Sequence, residues 1–397
     1  MPKFSTLAFY FLGNILTKGG DYLEAKAYFM LHEQDILEDI KRLVMADSPS
    51  QNKELLDLCK ELIQSMFYEY FNRKATEYAM EHNGNHLRFE MGQGVEQILM
   101  IGHYDTVWDQ GALPFRIEDN KIFGPGILDM KSGLISAIWF FKYVQQFNLP
   151  LKRRVVFFLN SDEELGSPTS RALIEEEAKK SIAAFILEPA VAVSGALKIA
   201  RKGTSHYLLN IKGVASHAGN NPRDGVSAIT EAARQILDIE GLNDFDKGTT
   251  LNVGMVQGGG KLNVIPDEAH LGVDVRSVTR GEQERIDDYF EHLKPHDVRT
   301  KIDIDGGINR PPMERDEESE DLFDVAQEEA KELGFNLEEA AVGGASDGNF
   351  TSLYTPTLDG LGLVGDGIHA KHEHILKDQV VERFALLTNT LLEVVNE

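Results

Sequence analysis

The chain has one cysteine, Cys59, among 397 residues. A single thiol excludes an intramolecular disulfide framework and any cysteine-rich metal site, so a bound metal must be held by histidine and carboxylate. No run of about 18 apolar residues, the length a membrane-spanning helix needs, is present. Positive charge is also scarce: 40 Lys and Arg stand against 64 Asp and Glu, a net charge of −24. That balance argues against non-specific binding to nucleic acid or to an anionic membrane, both of which need a basic surface. It leaves an anionic substrate open, because a few local arginines outweigh the global field near one site. Internal repeats and low-complexity tracts are missing as well. A hydrophobic content of 42% and a charged content of 26% are ordinary for a globular protein. The length is enough for two domains.

Residues 1–29 place one lysine before a short apolar run and lack an A-x-A-like cleavage site. They read as an extra helix or an N-terminal extension rather than a signal peptide, with a cytoplasmic protein expected. From 30 to 195, helices alternate with short strands. "LHEQDILEDIKRLVMAD" and "NKELLDLCKELIQSMFYEYF" carry apolar residues at three- and four-residue spacing. "EQILMIGHYD", "RRVVFFLNSD" and "AAFILEPA" are apolar runs ending in polar residues, the pattern of interior parallel strands. "SGLISAIWFFKYVQQF" predicts a crossover helix. Over 196–305 the order becomes β-α-β-β-α-β, that of a ferredoxin-like α+β unit. The α/β pattern resumes over 306–397. The expected fold is therefore α/β: a mostly parallel sheet covered by helices, interrupted by an inserted small domain.

In "IGHYDTVW" the period-two geometry of a strand points His103 and Asp105 the same way. Such a pair is a buried hydrogen bond, a proton shuttle, or a metal ligand with its orienting carboxylate. "GPGILDMKSG" puts Asp129 in a glycine-punctuated loop, where it would otherwise simply cap the next helix. "NSDEELGS" places Glu163 and Glu164 just past a strand, and "LEPA" places Glu188 past another. Ligands of open α/β sheets bind outside the carboxyl ends of the strands. Carboxylates gathered at one such edge repel unless a cation or a proton intervenes. With histidine beside them and no thiolate, the donors suit a hard-to-borderline divalent ion, most naturally Zn²⁺. "GDGIHAKHEH" adds His369, His372 and His374.

These motifs, with "KGVASHAG" and "LNVIPDEAHLGVDVR", occur in the order and spacing of the M20 metallopeptidases from about residue 30 onward. The chain resembles in particular the glutamate carboxypeptidase (carboxypeptidase G2-like) branch. The resemblance implies a zinc exopeptidase-like catalytic domain with a lid and dimerisation domain. Two Zn²⁺ per subunit are implied, with Co²⁺ or Mn²⁺ as alternatives. Asp129 would bridge them, with His103 and Glu188 on one ion and Glu164 and His369 on the other. Asp105 would orient His103, and Glu163 would be the general base. The Asp129–Met130 peptide would be cis. His217 resembles the histidine that stabilises the oxyanion, in some members across a dimer interface. Asn263, Arg276 and Arg310 match substrate-contacting positions, the arginines suited to a carboxylate. For Arg276 the alternative is a structural salt bridge. Lys198 departs from the branch, as either an anion contact or an exposed strand residue. His372 and His374 read as surface histidines. The implied substrate is a small peptide or N-acyl amino acid with an acidic C-terminal residue. N-acyl-amino-acid deacylase and dipeptidase are the alternatives, and a homodimer is implied. A non-catalytic binding module is the contrasting class, and it should have lost Glu163 or a ligand.

Overall fold

The computed structural model describes residues 24–396. Residues 1–23, most of the stretch read as an extension, lie outside them. The chain divides into two compact units. One runs to Ile199 and resumes over Arg315–Ala341 and from Ser346; the other comprises Ala200–Glu314 and Val342–Ala345.

Among the described residues an eight-stranded sheet runs in the order Thr76–Tyr78, His86–Met91, Arg154–Asn160, Gln97–His103, Ser181–Ile186, Thr357–Asp359, Leu197–Arg201, Glu339–Val342. The four strands from Arg154–Asn160 to Thr357–Asp359 pair in parallel, so their carboxyl ends share one edge. Every residue of Gln97–His103 is buried. Its alternate side chains feed two cores, Ile98 and Met100 into one and Leu99 and Ile101 into the other. This two-sided burial is why the run reads as continuously apolar. The helix Ser132–Phe147 fills the larger core with Trp139, Phe140 and Phe141. Gly133 lets that helix begin against the backbone at Leu187, since a Cβ there would collide with the Leu187 carbonyl oxygen. The helix start and the strand end leading to Glu188 are thereby pressed together.

Helix Ala25–Leu31 falls mainly within the stretch assigned to an extension, yet Tyr28 and Phe29 are buried in the larger core. The Phe29 ring lies 5.7 Å from Phe384 of the C-terminal helix Val380–Asn396, edge to face. A seven-residue helix carries little periodicity of its own, and its burial depends on that distant partner.

The inserted unit holds a four-stranded antiparallel sheet, ordered Thr250–Gly258, Glu268–Ser277, Gly203–Lys212, Lys301–Arg310. Helices Ala228–Glu240 and Arg280–Glu291 are N-capped by the side chains of Ser227 and Thr279. The helices and the sheet share a core of Leu209, Leu271, Val273, Ile286 and Phe290. Along Glu268–Ser277 burial alternates, so Ala269, Leu271, Val273 and Val275 face inward while His270, Asp274 and Arg276 lie on the open face. The strand Lys301–Arg310 extends through Arg310, which belongs to this unit.

Candidate metal centre

His103 ends its strand at the shared carboxyl edge. Its Nε2 is 3.2 Å from Asp129 Oδ1 and 3.6 Å from Glu188 Oε1. His369 approaches the other side of the same aspartate, with Nε2 3.4 Å from Asp129 Oδ2 and 3.1 Å from Glu164 Oε2. Asp129 therefore presents one oxygen to each histidine. His369 has φ of 57°, the left-handed region that few residues other than glycine adopt. The Asp129–Met130 peptide is cis. Ligand atoms of His103, Asp129 and Glu164 lie within 4.8 Å of one another, as do those of His103, Glu163 and Glu188.

The protonation state follows from this crowding. Burial alone would lower the His103 pKa, but Asp105, Asp129 and Glu188 outweigh it and hold the imidazole well above its ordinary value. Asp129 and then Glu164 raise His369 to about 10. Burial would raise Asp129, yet hydrogen bonds to His103 and His369 bring it below the usual carboxylate range. Glu164 goes the other way: burial pushes it up to about 7 despite His369. Protons on the two imidazoles thus balance a group of carboxylates. A divalent cation would do the same work, because the donors are nitrogen and oxygen within ligand reach and no thiolate is among them. The residues fit a divalent metal centre: in each of two donor groups, His103 with Asp129 and Glu164 and His103 with Glu163 and Glu188, the donor atoms lie within ligand reach of one another.

The supporting residues are less visible in sequence. Asp105, fully buried, accepts the backbone N–H of Glu163 and Glu164 at 3.2 Å each and the Ser50 hydroxyl at 2.8 Å. Asp162 accepts Thr169 N–H at 2.7 Å and the hydroxyls of Thr169 and Ser170 at 2.6 Å each. Asp347 accepts from Asn160 and Ser167. Together they close the loop carrying Glu163 and Glu164. Sequence reasoning passed over Asp162 and Asp347; "SDEE" and "ASDGN" offered only one more acidic residue each.

The remaining candidates lie as follows. Lys198 is buried, its backbone paired with Asp359, which removes the exposed-strand alternative. His374 is buried and its ring packs 5.2 Å from Phe123, correcting its reading as a surface histidine; His372 is exposed. The burial comes from pairing of His374–Leu376 with Lys121–Phe123, a contact between segments far apart in the chain that local pattern does not carry. In the inserted unit, Nδ1 of the exposed His217 accepts the N–H groups of Gly219 and Asn220 at 3.1 and 3.0 Å. The Asn263 carbonyl accepts the N–H of Ala218 at 3.0 Å. Arg276 Nε donates to Asp274 Oδ2 at 3.0 Å, so the salt bridge weighed against a substrate role is present. Arg310 is buried, and its carbonyl accepts from Gln283 at 2.8 Å.

The family profile described as Peptidase family M20/M25/M40 matches residues 99–393. The chain belongs to this peptidase family, whose members are metal-dependent amide hydrolases. It is 31% identical over 313 residues to carboxypeptidase G2 of Pseudomonas sp. strain RS-16, covering 76% of this chain and 75% of the relative. It is 25% identical over 328 residues to succinyl-diaminopimelate desuccinylase of Rickettsia rickettsii, covering 76% and 85%. In fold it is similar to an M20 family metallo-carboxypeptidase of Sulfolobus solfataricus, with a TM-score of 0.72 at 16% identity over 90% of this chain and 98% of that one.

Proposed function

We propose that the protein is a dinuclear zinc exopeptidase that hydrolyses the amide bond before an acidic, glutamate-like C-terminal residue of a peptide or N-acyl amino acid. The observation that carries this reading is Asp129, with His103 Nε2 3.2 Å from one oxygen and His369 Nε2 3.4 Å from the other. His103 and Glu188 would hold one ion, Glu164 and His369 the other, and Asp129 would serve both. Bound there, the ions supply Lewis acidity toward the scissile carbonyl and lower the pKa of the attacking water. Zn²⁺ suits the donors best, and Co²⁺ or Mn²⁺ suits them as well.

Glu163 is the base of this reading. Its carboxylate takes a proton from water as the water oxygen bonds to the carbonyl carbon. It returns that proton to the amide nitrogen as the C–N bond breaks, releasing a free amino acid. His217 has Nδ1 committed as an acceptor, so its neutral ring carries the proton on Nε2 and can donate it to an oxyanion. Arg276 has Nε committed to Asp274, which leaves its Nη edge for a bidentate carboxylate. Asn263, Arg310 and Lys198 complete the assigned substrate contacts. The inserted unit serves as lid and dimer contact. Exposed Val256 on its edge strand and exposed Leu237 on helix Ala228–Glu240 support an isologous interface. A cytoplasmic location belongs to the same reading.

Release of free amino acid from a panel of N-acyl amino acids and dipeptides tests it, on metal-stripped protein with and without Zn²⁺. Zinc-dependent release concentrated on C-terminal glutamate or aspartate is expected. It should fall in Arg276→Ala through KM by about 10- to 150-fold, the worth of a charged hydrogen bond. Activity confined to apolar N-acyl amino acids would overturn the acidic preference and favour an N-acyl-amino-acid deacylase. Sedimentation at micromolar concentration tests the dimer.

A further inference from the structure

Glu373 lies in "GDGIHAKHEH", four residues past His369, and is 1% exposed. Its two oxygens are each occupied by two donors. Oε1 accepts the backbone N–H of Leu128 at 2.9 Å and of Asp129 at 3.2 Å. Oε2 accepts the N–H of Gly126 at 3.2 Å and the indole Nε1–H of Trp108 at 2.6 Å. Three amides of one loop and an indole therefore converge on one buried carboxylate, and no lone pair facing them is left for a proton of its own. A buried carboxylate costs several kcal/mol of desolvation, in order of magnitude, unless its hydrogen bonds are complete, and here they are.

The arrangement has a direction. Every backbone donor belongs to the loop that presents Asp129, and one of them is the N–H of Asp129 itself. Trp108 belongs to "GHYDTVW", three residues past Asp105. Glu373 thus ties the His103–Asp105 segment, the Asp129 loop and the segment leading from His369 to a single side chain. Loop backbone without regular hydrogen bonding needs such a partner to hold its position.

We infer that Glu373 is a positioning residue for the metal centre, an anionic clamp that holds the backbone of Asp129 so that its two oxygens face His103 and His369. Trp108 is its side-chain donor. Glu373 does not touch substrate or the reacting atoms; it acts through Asp129. This rests on the two-metal reading proposed above.

Glu373→Gln tests it, since an amide nitrogen in place of either oxygen confronts two N–H donors and breaks half the clamp. Trp108→Phe removes one donor and keeps the ring. Zn²⁺ affinity is measured by competition with a chromogenic chelator, beside the melting temperature of the metal-free proteins. The wild type should bind two Zn²⁺, and Glu373→Gln should bind them about 10- to 100-fold more weakly, the usual effect of losing a partner behind a ligand. Trp108→Phe should lose about two- to tenfold, the worth of one hydrogen bond. Unchanged affinity in Glu373→Gln, with or without a lower metal-free melting temperature, would make the clamp merely structural and overturn the inference. Should that variant fail to fold, unchanged affinity in Trp108→Phe overturns it equally. A wild type that binds no Zn²⁺ is a separate result, which removes the two-metal reading itself.

Discussion

Asp105 stands directly behind His103, its backbone carbonyl 3.0 Å and its Oδ1 3.4 Å from the imidazole Nδ1. The same carboxylate receives the backbone N–H groups of Glu163 and Glu164. One residue thus orients a proposed ligand through its carbonyl and carboxylate together, while the same carboxylate positions the loop bearing the proposed base. Asp105→Asn should weaken metal binding about 10- to 100-fold and reduce kcat even when metal is saturating. Chelator competition and metal-saturated kinetics separate the two effects. A variant impaired only in affinity would show that Asp105 does not govern the Glu163 loop.

In the proposed mechanism the neighbours Glu163 and Glu164 have different roles, base and metal ligand. Glu163→Gln should keep both metals and lose about 10²- to 10⁴-fold in kcat, the worth of a general base. Glu164→Ala should lower the metal content from two toward one, because His369 then keeps only Asp129 beside it. Elemental analysis after desalting distinguishes them. Full metal content in Glu164→Ala would remove that residue from the ligand set.

Metal affinity should rise with pH. In the metal-free protein His369 holds its proton up to about pH 10 and Glu164 up to about 7, and a cation needs both stripped. The same shift enters stability. A histidine raised from 6.5 to about 10 contributes stability that is fully present below 6.5 and is lost as pH rises through 10. Alkaline pH therefore removes this contribution from the metal-free protein while favouring the metal-loaded one. Calorimetric Zn²⁺ titrations in buffers of different ionisation heat should show protons released near neutral pH and an affinity that climbs toward pH 9. Binding without proton release would contradict the charge balance described for the site.

Gly133→Ala adds a Cβ that meets the Leu187 carbonyl oxygen at the start of helix Ser132–Phe147. Overpacking of this kind costs about 1–3 kcal/mol. Because Gly133 follows Asp129 by four residues and Leu187 immediately precedes Glu188, the variant should lose both melting temperature and metal affinity. A melting temperature equal to wild type would show that the helix start yields without cost.

The main-sheet strands that carry the site and the candidate ligands were legible because both are local properties. Apolar runs ending in histidine or glutamate mark strand termini, and a parallel sheet collects those termini at one edge. The Arg276–Asp274 pair was legible too, since residues two apart share a strand face, but the arginine was weighed for substrate without naming its neighbour. Burial of Tyr28, Phe29 and His374 was not legible. Each packs on partners more than a hundred residues away, and short segments carry too little periodicity to reveal it.

By itself the sequence determined which chemistry is available: nitrogen and oxygen donors without thiolate, at strand ends, interrupted by one small α+β insert. Only the tertiary structure decided how that chemistry is held. It set His103 and His369 against opposite oxygens of Asp129, and it brought Glu373 under a loop some 245 residues earlier. Ligand identity is written in single residues, whereas the hydrogen bonds that fix their orientation join segments that chain folding alone makes neighbours.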